Sequence, residues 1–265
     1  MDPPFTPMSP TPRVTPPDEP PGWPRAPRQL AAGRGAAWWS EGWRIFKASA
    51  VLWIGVIVVM MLIMFVLNVV PFIGGIAAMI LWPVFGGGLM LGCHALAQGR
   101  PLAFEHLFAA FKDGRAGPLV ILGLIGLAAG TLIVLVTAMF GFGAAGLGAS
   151  LYAFSDPTNA LGNAWAGAGI ATLLITLLLL VASTLFWMAW FFATPLVALN
   201  RASPVEALKA SFDASFRNLG ALTIFALVFL GLAIVASLPL GLGWLLLGPV
   251  AIGASYAAWR EVFGA

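Results

Sequence analysis

Charge is what this chain has least of. Asp, Glu, Lys and Arg make up 9% of its 265 residues, against roughly 25% in a soluble domain. With 60% hydrophobic residues and a mean hydropathy of +0.96, the polar surface needed to cover a water-soluble fold is missing. An integral membrane protein is the class that remains. A single cysteine, Cys93, excludes a disulfide within the chain. Histidine is limited to His94 and His106. His94 follows Cys93 directly, and neighbours on a helix point about 100° apart, so the pair cannot readily chelate an ion. No metal and no cofactor are expected. Paired carboxylates, a His-Glu-x-x-His run and a Ser/His/Asp set are absent too, so hydrolytic catalysis lacks its parts and no enzymatic role is expected. The pI near 9.5 rests on a surplus of three positive charges, too few to argue for nucleic acid. "GFGAAG" (141–146) spells Gly-x-Gly-x-x-Gly, but a dinucleotide site needs a strand before it and an acidic residue about 20 positions on. It reads instead as a flexible loop.

Prolines are concentrated at the start: residues 1–30 hold 11 of the 20. That stretch lacks apolar core material, reads as a disordered, solvated tail and offers no apolar segment for a cleavable leader. From residue 31 to 265 the chain reads as one all-α membrane domain of six spans, near 50–70, 73–96, 117–140, 167–199, 219–238 and 240–259. Each has about the 20 apolar residues that a crossing helix needs. Pro83, Pro195 and Pro249 fall in the even-numbered spans, where they are expected to kink the helix.

All 13 Lys and Arg residues fall on one side of that arrangement. They lie before the first span, between the second and third, between the fourth and fifth, and after the sixth. The other side has short turns near Val70–Gly75 and Leu238–Gly241, a loop over 141–166, and Asp156 as its single charge. The positive-inside rule then places both termini in the cytoplasm. Trp38, Trp39, Trp43 and Trp259 fall at that boundary, with Trp165 and Trp244 at the far one, as aromatic belts.

Three charged segments interrupt the apolar runs. In "SPVEALKASFDASFR" (203–217), Ser203, Pro204 and Glu206 make a helix start with a capping box. Leu208, Phe212 and Phe216 then share a face opposite Glu206, Lys209, Asp213 and Arg217. Arg-x4-Glu-x-Leu-x-Ala-x-Phe recurs from Arg100 and from Arg201, which makes 102–113 a second copy, with Phe104, Leu107, Phe108 and Phe111 on its apolar side. A looser third copy spans 36–48, with Trp39, Trp43 and Phe46 opposite Glu41, Arg44 and Lys47. Helices this short and this charged do not span; they lie in the interface with their apolar faces against lipid. Each heads a pair of spans, so the chain reads as three parallel repeats of interfacial helix plus two-helix hairpin.

"GRGAAWWSEGWRIFKASAVLWIG" and "GGGLMLGCHALAQGRPLAFEHLFAAF" resemble an uncharacterised family of bacterial inner-membrane proteins. The arrangement is distantly similar to the membrane-anchor domain of glycerophosphodiester phosphodiesterases, whose catalytic domain this chain lacks. The resemblance implies a location in the bacterial inner membrane and transfers no site residues. The expected role is to organise lipids or partner membrane proteins, including copies of itself; the alternative is a transporter or channel for a small neutral or amphipathic solute. A topology reporter fused after Asp156 should read as external and one fused after Lys209 as cytoplasmic. The opposite pattern would reverse the orientation.

Overall fold

The structure is a computed structural model that describes residues 26–71, 73–112, 114–155 and 160–264. Among these every regular element is a helix: α1 (Arg34–Ala48), α2 (Ala50–Val69), α3 (Ile73–Ala97), a 3-10 turn over Phe104–Phe108 running into α4 (Ala109–Lys112), α5 (Ala116–Ser155), α6 (Ala160–Trp190), α7 (Ala193–Asn200), α8 (Pro204–Arg217), α9 (Leu219–Ser237) and α10 (Trp244–Phe263). Five stretches among the described residues are long and apolar enough to cross a bilayer: Ala50–Val69, Ile73–Ala97, Ala116–Phe140, Thr172–Asn200 and Leu219–Ser237. They match the first five expected spans within a few residues. The sixth, expected at 240–259, is present as the helix α10 but is not among those five stretches. Its second half carries Tyr256, Trp259, Arg260 and Glu261, and it buries Tyr256 and Trp259 inside the protein.

The loop expected over 141–166 is also corrected. α5 continues through Ser155 and α6 begins at Ala160, so "GFGAAG" lies within α5. No proline stands between Pro118 and Pro157, and isolated glycines weaken a helix by only about 1 kcal/mol each, so nothing stops the helix there. Asp156 and residues 1–25 of the expected tail fall outside the described residues. The end of that tail is held down. The Arg28 N–H donates to the Val262 carbonyl at 2.8 Å, and the Leu30 N–H donates to Asn218 Oδ1 at 2.8 Å.

Short helices meet long ones at abrupt corners. A single residue, Ser49, separates α1 from α2, with φ −154° and ψ 49°. Asn218, at φ −116° and ψ 27°, does the same between α8 and α9. The capping box of α8 forms as expected: Ser203 Oγ accepts from the Glu206 N–H, and Glu206 Oε2 accepts from the Ser203 N–H at 3.3 Å. The segment expected as a helix over 102–113 starts as a 3-10 turn. Ala103, at its start, has no side-chain oxygen to cap with, and the His106 Nδ1 takes the Ala103 N–H at 3.0 Å instead.

Each short element rests on a long helix from the preceding hairpin, and α1 rests on the last one. The 3-10 turn packs on α3, α8 on α6 and α7, and α1 on α10 and α9. Small residues make these approaches possible. A Cβ on Gly88 of α3 would stand 2.6 Å from the Leu107 carbonyl oxygen, and one on Gly42 of α1 would run into the backbone of α10 at Val250. In α8 the corresponding face is Ala207, Ser211, Ala214 and Ser215, all buried.

Two of those serines repair a broken helix. The proline ring crowds the carbonyl four residues back, and the chain breaks at Phe191–Phe192, just before Pro195, so that α6 and α7 are separate. The Phe192 N–H, which would pair with the Met188 carbonyl in a continuous helix, donates to Ser211 Oγ at 3.0 Å. The Ser211 and Ser215 hydroxyls each donate to that carbonyl at 2.9 Å. Pro83 and Pro249 are taken up inside unbroken helices. Replacing Ser211 and Ser215 together by alanine strands the Met188 carbonyl and the Phe192 N–H, at about 1–3 kcal/mol for each buried group left unpaired. The variant should unfold at clearly lower temperature in detergent; an unchanged midpoint would show that the hydroxyls are dispensable.

Candidate functional site

The residues expected to touch lipid divide into two groups. Trp43, Phe104, Phe108, Phe111, Phe212 and Phe216 are exposed, Phe216 most of all at 63%, and Leu208 is half-buried. Trp39, Phe46 and Leu107 are not: they are 6%, 4% and 0% exposed and belong to the protein core. The apolar stripe on each short element is wide enough to serve two neighbours, and the protein takes one edge of it. Trp39 shows how. Its ring stacks on Phe225 of α9 with centroids 4.8 Å apart, and its Nε1–H donates to the Phe225 carbonyl at 3.2 Å. Trp38 and Trp259, expected in the boundary belt, are likewise buried; Trp259 Nε1–H donates to Asn200 Oδ1 at 3.0 Å. Trp244 remains partly exposed, and the side chain of Trp165 lies outside the described ones.

Beside the buried edge of α1 lies a cleft of about 390 Å³, bounded by α1, the last turns of α10 and the strap at Arg28. Its charged lining is Arg28, Arg34 and Arg260 with Glu41 and Glu261. Arg34 grips Glu261 with both prongs of its fork, Nε to Oε1 at 2.7 Å and Nη2 to Oε2 at 3.0 Å. Trp38 Nε1–H donates to the same carboxylate at 2.8 Å. Glu41 accepts from Arg44 one turn on, at 3.2 Å from its Nε, and Arg260 approaches it to 3.9 Å. Nothing in the sequence brought these groups together, because Arg34 and Glu261 are 227 positions apart. Asn218 was missed as well. Its Nδ2 donates to the carbonyls of Arg28 and Ala214, both at 2.9 Å, so one buried amide fixes the strap, the end of α8 and the start of α9. The signal available was a lone amide directly after an amphipathic helix.

Burial alone would raise the Glu261 carboxyl. Hydrogen bonds from Arg34 and Trp38, and the charges of Arg34 and Arg260, outweigh that and hold it below the ordinary value. A carboxyl depressed by folding contributes stability above its unfolded value, and that contribution is lost as pH falls through the folded one. Attachment of α1 to α10 should therefore loosen in acid. Glu261→Gln should remove this part of the acid sensitivity, as read from thermal midpoints between pH 7 and pH 3; identical pH profiles would count against the pairing.

No protein-family model matches the chain, and no solved structure matches it. The sequence is 30% identical over 214 residues to the Probable inner membrane protein BTH_II0599 of Burkholderia thailandensis, an alignment covering 79% of this chain and 77% of that one. With several helices apolar enough to cross a bilayer and a relative of that name over most of both lengths, the chain is an integral membrane protein and belongs to the same family as this probable inner membrane protein.

Proposed function

We propose that the protein is a non-enzymatic organiser of the bacterial inner membrane, seated by three amphipathic segments in one leaflet. Counting α10 as a sixth span, the chain is three parallel repeats of interfacial segment plus hairpin, with both termini cytoplasmic. The observation that carries this reading is the three-sided character of the short helices. In α8 a small-residue side is locked onto the backbone of α6 and α7, while Val205, Phe212 and Phe216 point away from the protein and Asp213 and Arg217 pair with each other at 2.9 Å. A helix pinned to the ends of membrane spans, with bare phenylalanines on one side and charge on another, suits the boundary between acyl chains and headgroups. Its partners are then membrane lipids, and other membrane proteins or further copies of this chain.

The ring of contacts supports the repeat: each short element lies on the hairpin before it and the first lies on the last. A transport route past Pro83, Pro195 and Pro249 is less well supported. All three prolines are buried, and Val84, Leu196 and Val250 directly after them are packed in the core.

Replacing Phe212 and Phe216 together by aspartate forfeits on the order of 2 kcal/mol of apolar transfer per side chain. Spin labels along 204–217 in proteoliposomes should then lose oxygen accessibility and gain accessibility to water-soluble nickel. Unchanged depth would reject the interfacial assignment.

A further inference from the structure

We infer that the cleft between α1, the end of α10 and the Arg28 strap is a seat for the phosphodiester of a singly anionic glycerophospholipid, held by Arg28 and Arg260. This rests on the interfacial reading above and adds a specific site to it.

The cleft's cations are unequally engaged. Arg34 is taken up by Glu261 through both prongs, and Glu41 is taken up by Arg44. Arg28 has no carboxylate partner for its guanidinium among the described residues; its backbone makes the bonds that hold it in place. Arg260 has a distant approach to the already occupied Glu41, at 3.9 Å, and lies over the Tyr256 ring at 6.0 Å. Two guanidinium groups with donors to spare therefore border one cavity, and planar forks of this kind match phosphate oxygens two at a time.

Charge and shape agree. Three arginines and two glutamates line the cleft. With Arg34 paired to Glu261 and Glu41 held by Arg44, the positive charge of Arg28 and Arg260 is left for an anionic phosphodiester to offset. Its volume of about 390 Å³ falls within the roughly 300–1,000 Å³ of ordinary ligand sites. Gly264, at φ +66°, keeps the space open: a Cβ there would stand 2.7 Å from the Arg28 guanidinium.

Position selects lipid over a free phosphate. The Arg28 carbonyl is bonded to Asn218, the residue immediately before the Leu219–Ser237 span. Trp39, on the neighbouring turn of α1, reaches Phe225 in the second turn of that span. The cleft thus lies at the level where a bilayer places its phosphates.

The test uses the full chain in detergent, with bound lipid counted by native mass spectrometry during titration with phosphatidylglycerol. The variant Arg28→Ala with Arg260→Ala, which spares the Arg34–Glu261–Trp38 contacts, should bind roughly tenfold more weakly, the scale of a lost charge-assisted pair. Lys47→Ala with Lys209→Ala, removing equal charge outside the cleft, should bind as the parent does. Equal binding by the cleft variant, or an equal loss in the control, would overturn the site. Phosphatidylcholine bound as tightly as phosphatidylglycerol would overturn the preference for an anionic lipid, and inorganic phosphate or glycerol phosphate displacing the lipid at equal concentration would overturn the choice of lipid. The aspartate variant of α8 leaves the cleft residues in place, so α8 unmoved with lipid binding cleft-dependent, or the reverse, tells failure of the interfacial reading from failure of the seat.

Discussion

The whole arrangement depends on backbone meeting backbone where the short helices cross the long ones. At Gly88 against Leu107 and at Gly42 against Val250 there is no space for a side chain, and the small-residue face of α8, Ala207 to Ser215, is buried. In a bilayer the hydrophobic effect does not drive helices together, because lipid is as apolar as the side chains it would replace. Close van der Waals contact and hydrogen bonding do that work, and both need small residues. That is why a chain with 31 glycines forms an ordered core around Trp53, Leu107, Phe192 and Leu196, where a soluble protein would find the same glycines a liability.

Polar groups are used sparingly and at junctions. Ser211 and Ser215 complete a helix that Pro195 interrupts, Asn218 binds three segments through one amide, and Glu261 gathers Arg34 and Trp38 onto the end of α10. An unpaired polar group away from water is costly, so each of these can stand inside or beside a membrane domain only because its partners are supplied by another part of the chain. The consequence is that distant segments depend on one another: residues near 28–38 are held in place by partners within 218–262.

Hydropathy made the long helices legible, since a run such as Ala50–Val69 has few other ways to exist. The capping box at Ser203 was legible too, because its chemistry is local. Periodicity failed where two environments are alike to it. Lipid and protein core are both apolar, so the pattern that marked Phe216 as outward marked Leu107 and Trp39 the same way, although both are buried. Small faces such as Ala207–Ser215 carry no hydropathy contrast and passed unnoticed. Glycine-rich sequence over 141–155 resembled a loop, yet with no proline and both flanks helical the helix simply continues. The cleft was invisible for a different reason: its pairs join positions more than 200 apart, and one sequence holds no record of such proximity.

The length of α5 has its own consequence. Forty residues at 1.5 Å each make a rod of about 60 Å, twice the roughly 30 Å thickness of the hydrocarbon layer. Even a tilt of 40°, the extreme for such helices, would leave it too tall to fit. With the short helices seated in one leaflet, as proposed above, α5 starts beside them at Ala116 and its surplus emerges from the opposite leaflet, together with the beginning of α6. Whatever approaches from that compartment encounters a projecting pair of rods before it encounters the bilayer itself.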